Sequence, residues 1–471
     1  MARSALFALG AILAILSPSD ADVRRHTDSR ESTGERMSRV IVRTSDVSGV
    51  ETLVRKLGGR IGRRLAGHEA VVAELPAADL RALSGFPAVR SISSDRPIRG
   101  TLDQTPAAIG ATWVTQNLGF DGTGVGVAIV DSGVTRAHDD LGGNQVVHFV
   151  DFVEGRARAH DRYGHGTHVA GIIAGNGHDS AGARRGIAPG AHLVVLKTLD
   201  EQGEGYISDA IAAMDYAIEQ RAAYNIRVIN LSVAAGVYES YRTDPLTLAA
   251  ARAVQAGIVV VTAAGNQGRD AKGLVRYGGI TAPGNAPWVL TVGAANHHGT
   301  ASRTDDTMAS FSSLGPSSID LMPKPDLVAP GVGIESLADS GSTLFTTRPD
   351  ARLWGTVPTR TEPYLTLSGT SMAAPVVTGT VALMLEANPA LKPDAVKAIL
   401  RASAEPKASY SPMAQGAGFL NARAAVELAQ GFAENPVAAA RLEQFVQAFT
   451  PATRQPARAG KQIDGNAGVS E

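Results

Sequence analysis

Three short segments of this 471-residue chain carry side chains that together could transfer an acyl group. Asp131 opens an Asp-Ser-Gly motif, His165 lies within Gly-His-Gly-Thr-His-Val-Ala-Gly, and Ser371 lies within Gly-Thr-Ser-Met-Ala-Ala-Pro. A serine hydroxyl is a poor nucleophile until a base takes its proton, and a histidine base needs a carboxylate to fix its tautomer and stabilise its cation. The three residues therefore form a candidate nucleophile, general base and orienting acid.

Ser371 precedes an apolar segment that predicts a buried helix ending near Asn388 and Pro389. The start of a helix offers unpaired N–H groups and the positive end of the helix dipole to such a nucleophile. Serine is also a favoured helix cap, so Ser371 taken alone fits a capping role equally well. The presence of Asp131 and His165 in the chain favours the nucleophilic role of Ser371 over the capping role.

The surrounding sequence predicts the elements that must position these side chains. Short runs rich in valine and isoleucine alternate with helical patterns at 169–174 and 208–221, and the runs cover residues 125–130, 193–196, 228–231, 258–261 and 289–292. This alternation predicts an α/β domain with a doubly wound, mostly parallel sheet and helices on both faces. Ligand-handling residues of such folds lie beyond the carboxyl ends of the strands.

Residues 39–98 predict a separate small unit with the order β-α-β-β-α-β, which is the ferredoxin-like α+β arrangement. Ser48 and Glu51 have the spacing of a capping box and predict the start of its first helix. Residues 22–99 carry 15 Lys and Arg against 10 Asp and Glu, whereas residues 100–471 carry 28 against 34. A basic unit therefore precedes a mildly acidic body. An independent small binding domain is the alternative for this unit.

The two ends of the chain differ from the body in composition. Residues 1–21 predict a signal peptide, because Arg3 precedes an apolar segment at 5–16 and a small-x-small site ends at Ala21. Twelve apolar residues are too few to span a bilayer, so we expect a secreted, extracellular or periplasmic protein with no membrane attachment after removal of the signal. Residues 432–471 predict a C-terminal extension that is helical and then disordered.

Composition excludes several other chemistries. The formal net charge of −1 gives the whole chain no general affinity for nucleic acid or anionic lipid. The absence of cysteine excludes disulfides, thiol nucleophiles and cysteine-ligated zinc. His168 follows His165 by three residues, but the chain has no His-Glu-x-x-His pattern, so we interpret His168 as a buried structural residue and not as a metal ligand.

The order Asp131, His165, Ser371, with these flanking residues, resembles the subtilase family of subtilisin-like serine peptidases. The resemblance covers residues 107–431 and, more weakly, the N-terminal unit. It implies a subtilisin-like catalytic domain over residues 101–431 that hydrolyses protein or peptide substrates through an acyl-enzyme. It also implies a prodomain over residues 22–100, which assists folding and inhibits the cleft until self-cleavage between Asp95 and Asp103.

The resemblance also implies further site residues. Asn266, in Thr-Ala-Ala-Gly-Asn, would donate to the oxyanion together with the backbone N–H of Ser371. An extended peptide would pair with two backbone segments, and a third segment would form a wall of the primary pocket; these segments are Gly203, Glu204 and Gly205, then Ser232, Val233 and Ala234, then Ala263, Ala264 and Gly265. The second segment departs from the usual Ser-Leu-Gly-Gly pattern, which leaves the width of that pocket open.

No cofactor is implied for the chemistry, and structural calcium is left open by the resemblance. Asp140 aligns with one calcium ligand of the family, but the loop at 176–185 does not match the remaining ligands. The stretch 339–363 either rims the cleft or forms an ordinary surface hairpin. Two alternatives to hydrolysis stay open, namely an inert subtilase-like binding domain and a peptide ligase or macrocyclase that uses the same triad.

Overall fold

The computed structural model describes residues 37–65, 70–94, 104–135, 137–143, 145–270 and 272–449. The chain divides into two units, residues 1–97 and 98–471, each with its own core. The predicted signal peptide, the predicted cleavage stretch at 95–103 and the predicted disordered tail at 451–471 lie outside the described residues. Those three assignments therefore stay predictions.

The first unit is a four-stranded antiparallel sheet with two helices, in the spatial order β2-β3-β1-β4. Its elements are β1 Met37–Thr44, α1 Val47–Lys56, β2 Arg60–Leu65, β3 Ala70–Pro76, α2 Leu80–Ser84 and β4 Val89–Ser94. The predicted capping box is wrong, because Asp46 caps α1 by accepting from the N–H of Gly49 at 2.8 Å. Glu51 instead pairs with Arg64 at 2.6 Å.

The second unit alternates strands and helices through most of its length. Its strands are β5 Gly126–Asp131, β6 Val146–Asp151, β7 His192–Lys197, β8 Ile226–Leu231, β9 Val259–Ala263, β10 Leu290–Asn296, β11 Thr307–Met308, β12 Leu327–Pro330, β13 Ile334–Leu337, β14 Arg352–Leu353 and β15 Tyr364–Leu367. Its helices are α3 Thr105–Ala108, α4 Ala111–Asn117, α5 His165–Ala174, α6 Ile207–Glu219, α7 Pro245–Gln255, α8 Thr343–Thr347, α9 Thr370–Ala387, α10 Pro393–Ser403, α11 Pro412–Gln415, α12 Ala422–Glu434 and α13 Pro436–Phe449.

The central sheet has the order β11-β10-β9-β8-β5-β7-β6, and β12 also pairs with β10. Every pairing is parallel except that of β10 with β11. Side chains of α5, α9 and α12 pack on one face of the sheet, and those of α6 and α7 pack on the other. The predicted doubly wound α/β fold is confirmed. A small antiparallel sheet, β13-β15-β14, accompanies it.

Helix α9 runs through the core of the second unit. It is long and apolar enough to cross a membrane, yet 83% of its 18-residue window is buried inside the unit, so core packing accounts for its composition. Gly379 lies close against Ile187, because an added Cβ there would lie 2.5 Å from the Cβ of Ile187. The fold thereby holds the first turn of α9, and with it Ser371, in a fixed position.

Candidate active site

Asp131 and His165 form a hydrogen-bonded pair at the carboxyl end of the central sheet. Asp131 is the last residue of β5 and is fully buried, and His165 is the first residue of α5 and keeps 15% of its side chain exposed. Nδ1 of His165 lies 2.8 Å from Oδ1 of Asp131. Because a carboxylate accepts, Nδ1 carries the proton and Nε2 is left with its lone pair. This is the tautomer that a general base requires.

Asp161 anchors the start of α5 to the loop after Asp131. Its carboxylate accepts from the Ser132 hydroxyl at 2.8 Å and the Gly164 N–H at 2.8 Å, and from the N–H and hydroxyl of Thr167 at 2.8 and 2.7 Å. The Ser132 hydroxyl also accepts from the N–H of Gly166 at 2.9 Å. A buried network therefore fixes the position of His165 relative to Asp131.

Two carboxylates set the protonation of His165. Burial alone lowers the pKa of His165, but the charge and hydrogen bond of Asp131 and the charge of Asp161 oppose it and leave the pKa above its ordinary value. His168, on the same helix, is fully buried and donates from Nε2 toward the carbonyls of Ile334 and Leu365 at 3.2 and 3.1 Å. Burial and the neighbouring His165 lower the pKa of His168 to about 3, so it is neutral.

Ser371 is the second residue of α9, and two reciprocal hydrogen bonds join it to Ser232. The hydroxyl of Ser371 donates to the carbonyl of Ser232 at 2.9 Å, and the hydroxyl of Ser232 donates to the carbonyl of Ser371 at 3.1 Å. Pro375 has no N–H, so the usual helical donor to the Ser371 carbonyl is missing. Ser232 supplies the replacement, and Asn230 donates to the Ser232 hydroxyl at 2.8 Å.

Strand register brings the two pairs together. Val130 of β5 lies opposite Leu231 of β8, so the next residues of the two strands, Asp131 and Ser232, emerge side by side at one edge of the sheet. Asp131 holds His165, and Ser232 holds Ser371. The candidate base and the candidate nucleophile thus lie at the same end of the sheet, attached to the ends of two adjacent strands.

Asn266 lies beside the first turn of α9 with its amide orientation fixed. Its Oδ1 accepts from the backbone N–H of Thr370 at 2.9 Å and from the Thr370 hydroxyl at 3.0 Å. Because a backbone N–H can only donate, Oδ1 is assigned without ambiguity and Nδ2 faces away from Thr370. The Asn266 side chain is exposed, and the N–H of Ser371 has no intrahelical partner so close to the helix start. Both N–H groups are available to an oxyanion.

The three predicted substrate segments border this site. Gly203 turns with a φ of +80° against the ring of Tyr163, and Glu204 and Gly205 are exposed. The segment Ser232, Val233 and Ala234 follows β8 and becomes more exposed along its length. Ala263 and Ala264 are buried at the end of β9, and Gly265 has a φ of +101° where a Cβ would lie 2.8 Å from Thr281.

The stretch 339–363 lies against the loops that lead into the site. The N–H groups of Thr343 and Leu344 donate to the carbonyls of Arg162 and Tyr163 at 2.8 and 3.0 Å, and the Thr343 hydroxyl donates to the carbonyl of Glu201. These contacts fit the rim alternative. The stretch also contains α8 and β14, which pairs with β15 just beyond the stretch, so it is more than a simple hairpin.

Asp140 lies in a buried cluster away from these groups. One atom each of His138, Asp140 and Asp179 lies within 4.8 Å of the others, which makes the cluster a candidate metal site. However, the carboxylate oxygens of Asp140 accept from the N–H of Asp179 at 2.7 Å and from the hydroxyl of Tyr364 at 2.8 Å. Calcium prefers six to eight oxygen ligands, whereas this cluster supplies a nitrogen and oxygens already bonded to protein donors. The donor set does not fit calcium.

Several supporting residues were not identified from the sequence. Asp161 precedes His165 by four residues, and an acidic residue just before a helix was the available signal. Thr370 is placed between Asn266 and the N–H of Gly265. Lys197 is 2% exposed, and its ammonium donates to the carbonyls of Ser132 and Leu199 at 2.8 and 2.5 Å. No sequence pattern distinguishes such a lysine from an ordinary strand-end lysine.

Comparison with known proteins identifies the family. A model of the subtilase family matches residues 122–431. The serine protease AprX of Bacillus subtilis is 38% identical over 344 residues, which cover 72% of this chain and 74% of that protein. An extracellular serine proteinase of a Thermus species is 32% identical over 361 residues, covering 74% and 75%. A crystal structure of a cold adapted subtilisin-like serine proteinase matches 64% of this chain and 90% of its own at 30% identity, with a TM-score of 0.48. The chain therefore belongs to the subtilase family of subtilisin-like serine proteases, which are hydrolases.

Proposed function

We propose that this chain is a secreted endopeptidase that cleaves peptide bonds through an acyl-enzyme on Ser371. The observation that supports the proposal is that the Asp131–His165 pair and the Ser371–Ser232 pair are attached to the carboxyl ends of adjacent strands, β5 and β8. The chemistry of this family needs no cofactor, and serine, histidine and aspartate side chains supply each step.

Acylation would begin when Nε2 of His165 takes the proton of Ser371 and the serine oxygen attacks the scissile carbonyl carbon. Asp131 stabilises the imidazolium that forms. The tetrahedral oxyanion would accept hydrogen bonds from the N–H of Ser371 and from Nδ2 of Asn266. When the carbon–nitrogen bond breaks, His165 gives its proton to the leaving amine, and an ester on Ser371 remains.

Deacylation would repeat these steps with water as the nucleophile. His165 takes a proton from water, the hydroxide oxygen attacks the ester carbon, and the carbon–oxygen bond to Ser371 breaks. His165 then returns the proton to the Ser371 oxygen. The acid product leaves and the resting enzyme is restored.

An extended substrate would pair its backbone with Gly203–Gly205 on one side and Ser232–Ala234 on the other. Glu204 and Gly205 of the first segment and Ala234 of the second are exposed to solvent. The small side chains of Ala263 and Ala264 are compatible with an apolar or aromatic side chain before the scissile bond. We therefore propose a preference for such residues at that position.

A covalent probe tests the nucleophile. The purified protein should react with a sulfonyl fluoride or an organofluorophosphate, and peptide mapping by mass spectrometry should place the label on Ser371. The Ser371→Ala variant is the matched control and should remain unlabelled and inactive. An unlabelled wild-type protein with an intact fold would instead support an inert binding domain.

A peptide library distinguishes hydrolysis from ligation, because both reactions share the acyl-enzyme. Mass spectrometry of the products should show free carboxylates and new amines from cleavage next to apolar or aromatic residues. If amide-joined or cyclic products dominate in the presence of amine acceptors, the chain is a ligase and the hydrolase proposal is wrong.

Secretion and maturation complete the proposal. Residues 1–21 would direct export, as the name of the Thermus relative indicates for that protein, and residues 22–100 would act as an inhibitory prodomain. Residues 22–99 carry a net positive charge and residues 100–471 a net negative charge. These opposite charges favour association of the two parts, and added salt should weaken it. Self-cleavage is expected between Asp95 and Asp103.

Expression of the full chain with and without Ser371→Ala tests maturation. The wild-type precursor should lose its N-terminal unit, and N-terminal sequencing should place the new terminus between Asp95 and Asp103. The variant should keep the intact precursor. Maturation of the purified variant would show that another protease removes the unit, and it would overturn self-cleavage without touching the assignment of the nucleophile.

A further inference from the structure

A basic pocket lies at the edge of the central sheet opposite the active site. It has a volume of about 360 Å³, and its polar lining includes Arg221 after α6, Asn225 and Arg227 at the start of β8, and Lys392 before α10. Because β8 is parallel to its neighbours, the amino ends of these strands lie at one end of the sheet, and their carboxyl ends, which carry the candidate active site, lie at the other. A ligand here would not occupy the catalytic cleft.

Among the residues that the structure describes, the three cations of this pocket have no acidic partner. In the described parts of the chain, no carboxylate lies within ion-pair distance of Arg221, Arg227 or Lys392, whereas the exposed Arg252 on α7 pairs with Asp215 at 2.7 Å. Arg227 donates only to backbone carbonyls, those of Pro389 and Leu391, at 2.9 and 3.0 Å. Neutral carbonyls orient a guanidinium, but they do not neutralise its charge.

The fold holds these cations close together. Arg221 donates to the carbonyl of Ala256, and Arg227 is anchored to the turn between α9 and α10, so both guanidinium groups are fixed by backbone. Burial lowers the pKa of Arg227, and the charge of Arg221 lowers it further, which shows that the two groups repel one another. Lys392 is exposed and free to move toward a ligand.

We propose that this pocket binds an oxyanion of the phosphate class. Such a dianion would accept hydrogen bonds from the unused N–H groups of Arg221 and Arg227 and from the ammonium of Lys392, and it would relieve the repulsion between the two arginines. The bound group is either inorganic phosphate or a phosphate unit of a longer polymer. Both present the same tetrahedral oxygens to the pocket.

Isothermal titration of the full chain with inorganic phosphate, at constant ionic strength, tests the proposal. The Ser371→Ala background prevents autolysis and leaves the distant pocket unchanged. We expect saturable binding that an equal concentration of chloride does not reproduce. The double variant Arg221→Gln with Lys392→Gln should lose affinity by about tenfold or more, because two charged donors are removed. Arg252→Gln, which removes a paired arginine nearby, should bind as the parent does.

Polyphosphate of defined length provides the second arm. Tighter binding per phosphate group than inorganic phosphate would identify a polymer as the ligand, and equal binding would identify the free anion. Unfolding midpoints of all variants confirm that the fold is retained. The proposal is overturned if phosphate binding is not saturable, or if the double variant and the parent bind phosphate equally.

Discussion

At the scale of single residues, Asp161 has a large influence on a reaction it does not enter. It accepts four hydrogen bonds from Ser132, Gly164 and Thr167, and it is 2% exposed. Its charge also contributes to the raised pKa of His165. Asp161 is therefore a positioning residue that acts through His165, and both its geometry and its charge can be tested.

Asp161→Asn should shift the acidic limb of the pH profile of kcat/KM to lower pH. Loss of the anion removes one of the charges that raise the pKa of His165, so His165 stays unprotonated at lower pH. The amide also cannot accept all four bonds, so kcat/KM should fall about tenfold or more. The profile is measured with a peptide substrate between about pH 4 and pH 9, which extends about two and a half units to each side of the ordinary histidine pKa.

Ser132→Ala is the matched control for this experiment. It removes a bond to Asp161 and one to the N–H of Gly166 but keeps both carboxylate charges. We expect it to lower the free energy of unfolding by about 1–3 kcal/mol and to leave the acidic limb in place. An equal shift of that limb in both variants would show that geometry, and not charge, sets the pKa of His165.

Asn266→Ala should lower kcat about 100- to 1000-fold with little change in KM, a magnitude carried over from the oxyanion asparagine of subtilisin. The amide donor acts on charge that appears only in the transition state, so ground-state binding is spared. Steady-state kinetics give both constants. Asn266→Asp keeps the acceptor for Thr370 but not the donor, and it should be as impaired as the alanine variant. An active aspartate variant would mean that Asn266 only supports the loop.

At the scale of elements, Pro375 and Ser232 together determine how α9 is attached to the sheet. The carbonyl of Ser371 lacks its helical donor because residue 375 is proline, and the hydroxyl of Ser232 takes that place. The start of α9 is thus hydrogen-bonded to Ser232, the residue after β8, at a carbonyl that Pro375 leaves without its helical donor. This relation predicts energetic coupling between the two side chains.

A double-mutant cycle measures that coupling. Ser232→Ala alone leaves the partly buried carbonyl of Ser371 without this donor and should lower the free energy of unfolding by about 1–3 kcal/mol. In the Pro375→Ala background the restored N–H can bond the Ser371 carbonyl, so the same substitution should cost less. Urea unfolding in the Ser371→Ala background gives the four values. Strict additivity would contradict the coupling.

The sequence predicts the elements of this fold only where local pattern and tertiary packing agree. The fully buried strands β5 and β9 are almost entirely apolar, and the sequence predicts both; β8 is predicted from its apolar residues although it also contains Arg227 and Asn230. The edge strand β6 is partly exposed and carries His148 among its apolar residues, so its pattern is weak and it was missed. Asp46 rather than Ser48 caps α1, because either residue satisfies the local rule and the first-turn geometry decides.

Some residues of the candidate site can be predicted from the sequence, and others are identified only from the structure. Asp131, His165 and Ser371 lie in motifs whose residue types indicate acyl transfer. The contributions of Asp161 and Thr370 depend on which N–H and hydroxyl groups approach them in three dimensions, and a single sequence does not contain that information.

At the scale of the whole molecule, a buried charge cluster links β12, α10 and the segment before β10. Asp326 pairs with Lys324 at 2.7 Å and with Lys397 at 3.0 Å, and both ammonium groups also donate to the carbonyl of Val289. Burial lowers the pKa of Lys324 to about 7 despite the opposing charge of Asp326, and Lys397 lowers it further. The pKa of Asp326 falls to about 2 because the two lysine charges outweigh its burial.

This cluster predicts greater stability in alkali than at neutral pH. Between about pH 7 and pH 10.5 the unfolded chain holds a proton on Lys324 that the folded chain lacks, so the free energy of unfolding rises with pH across that window. The rise should be on the order of 5 kcal/mol. Below about pH 3.8 the protonation of Asp326 removes stability as the pH falls toward 2.

Lys324→Met tests the alkaline part, and Lys272→Met serves as a control at an exposed lysine. Denaturant unfolding in the Ser371→Ala background, repeated at intervals from pH 6 to pH 11, covers the window between the two pKa values. The slope with pH should flatten in the first variant and persist in the second. A flat profile in the parent would mean that Lys324 stays charged in the folded protein.

The two hydrogen bonds between Ser371 and Ser232 also determine where the Ser371 hydroxyl points when no substrate is bound. The proton of the nucleophile is directed at the Ser232 carbonyl, and that carbonyl belongs to the segment proposed to pair with the substrate backbone. A substrate N–H that takes over this acceptor displaces the hydroxyl, which is then free to turn toward His165. Arrival of a peptide would thus direct the Ser371 hydroxyl toward His165, and without a peptide the hydroxyl stays hydrogen-bonded to the Ser232 carbonyl.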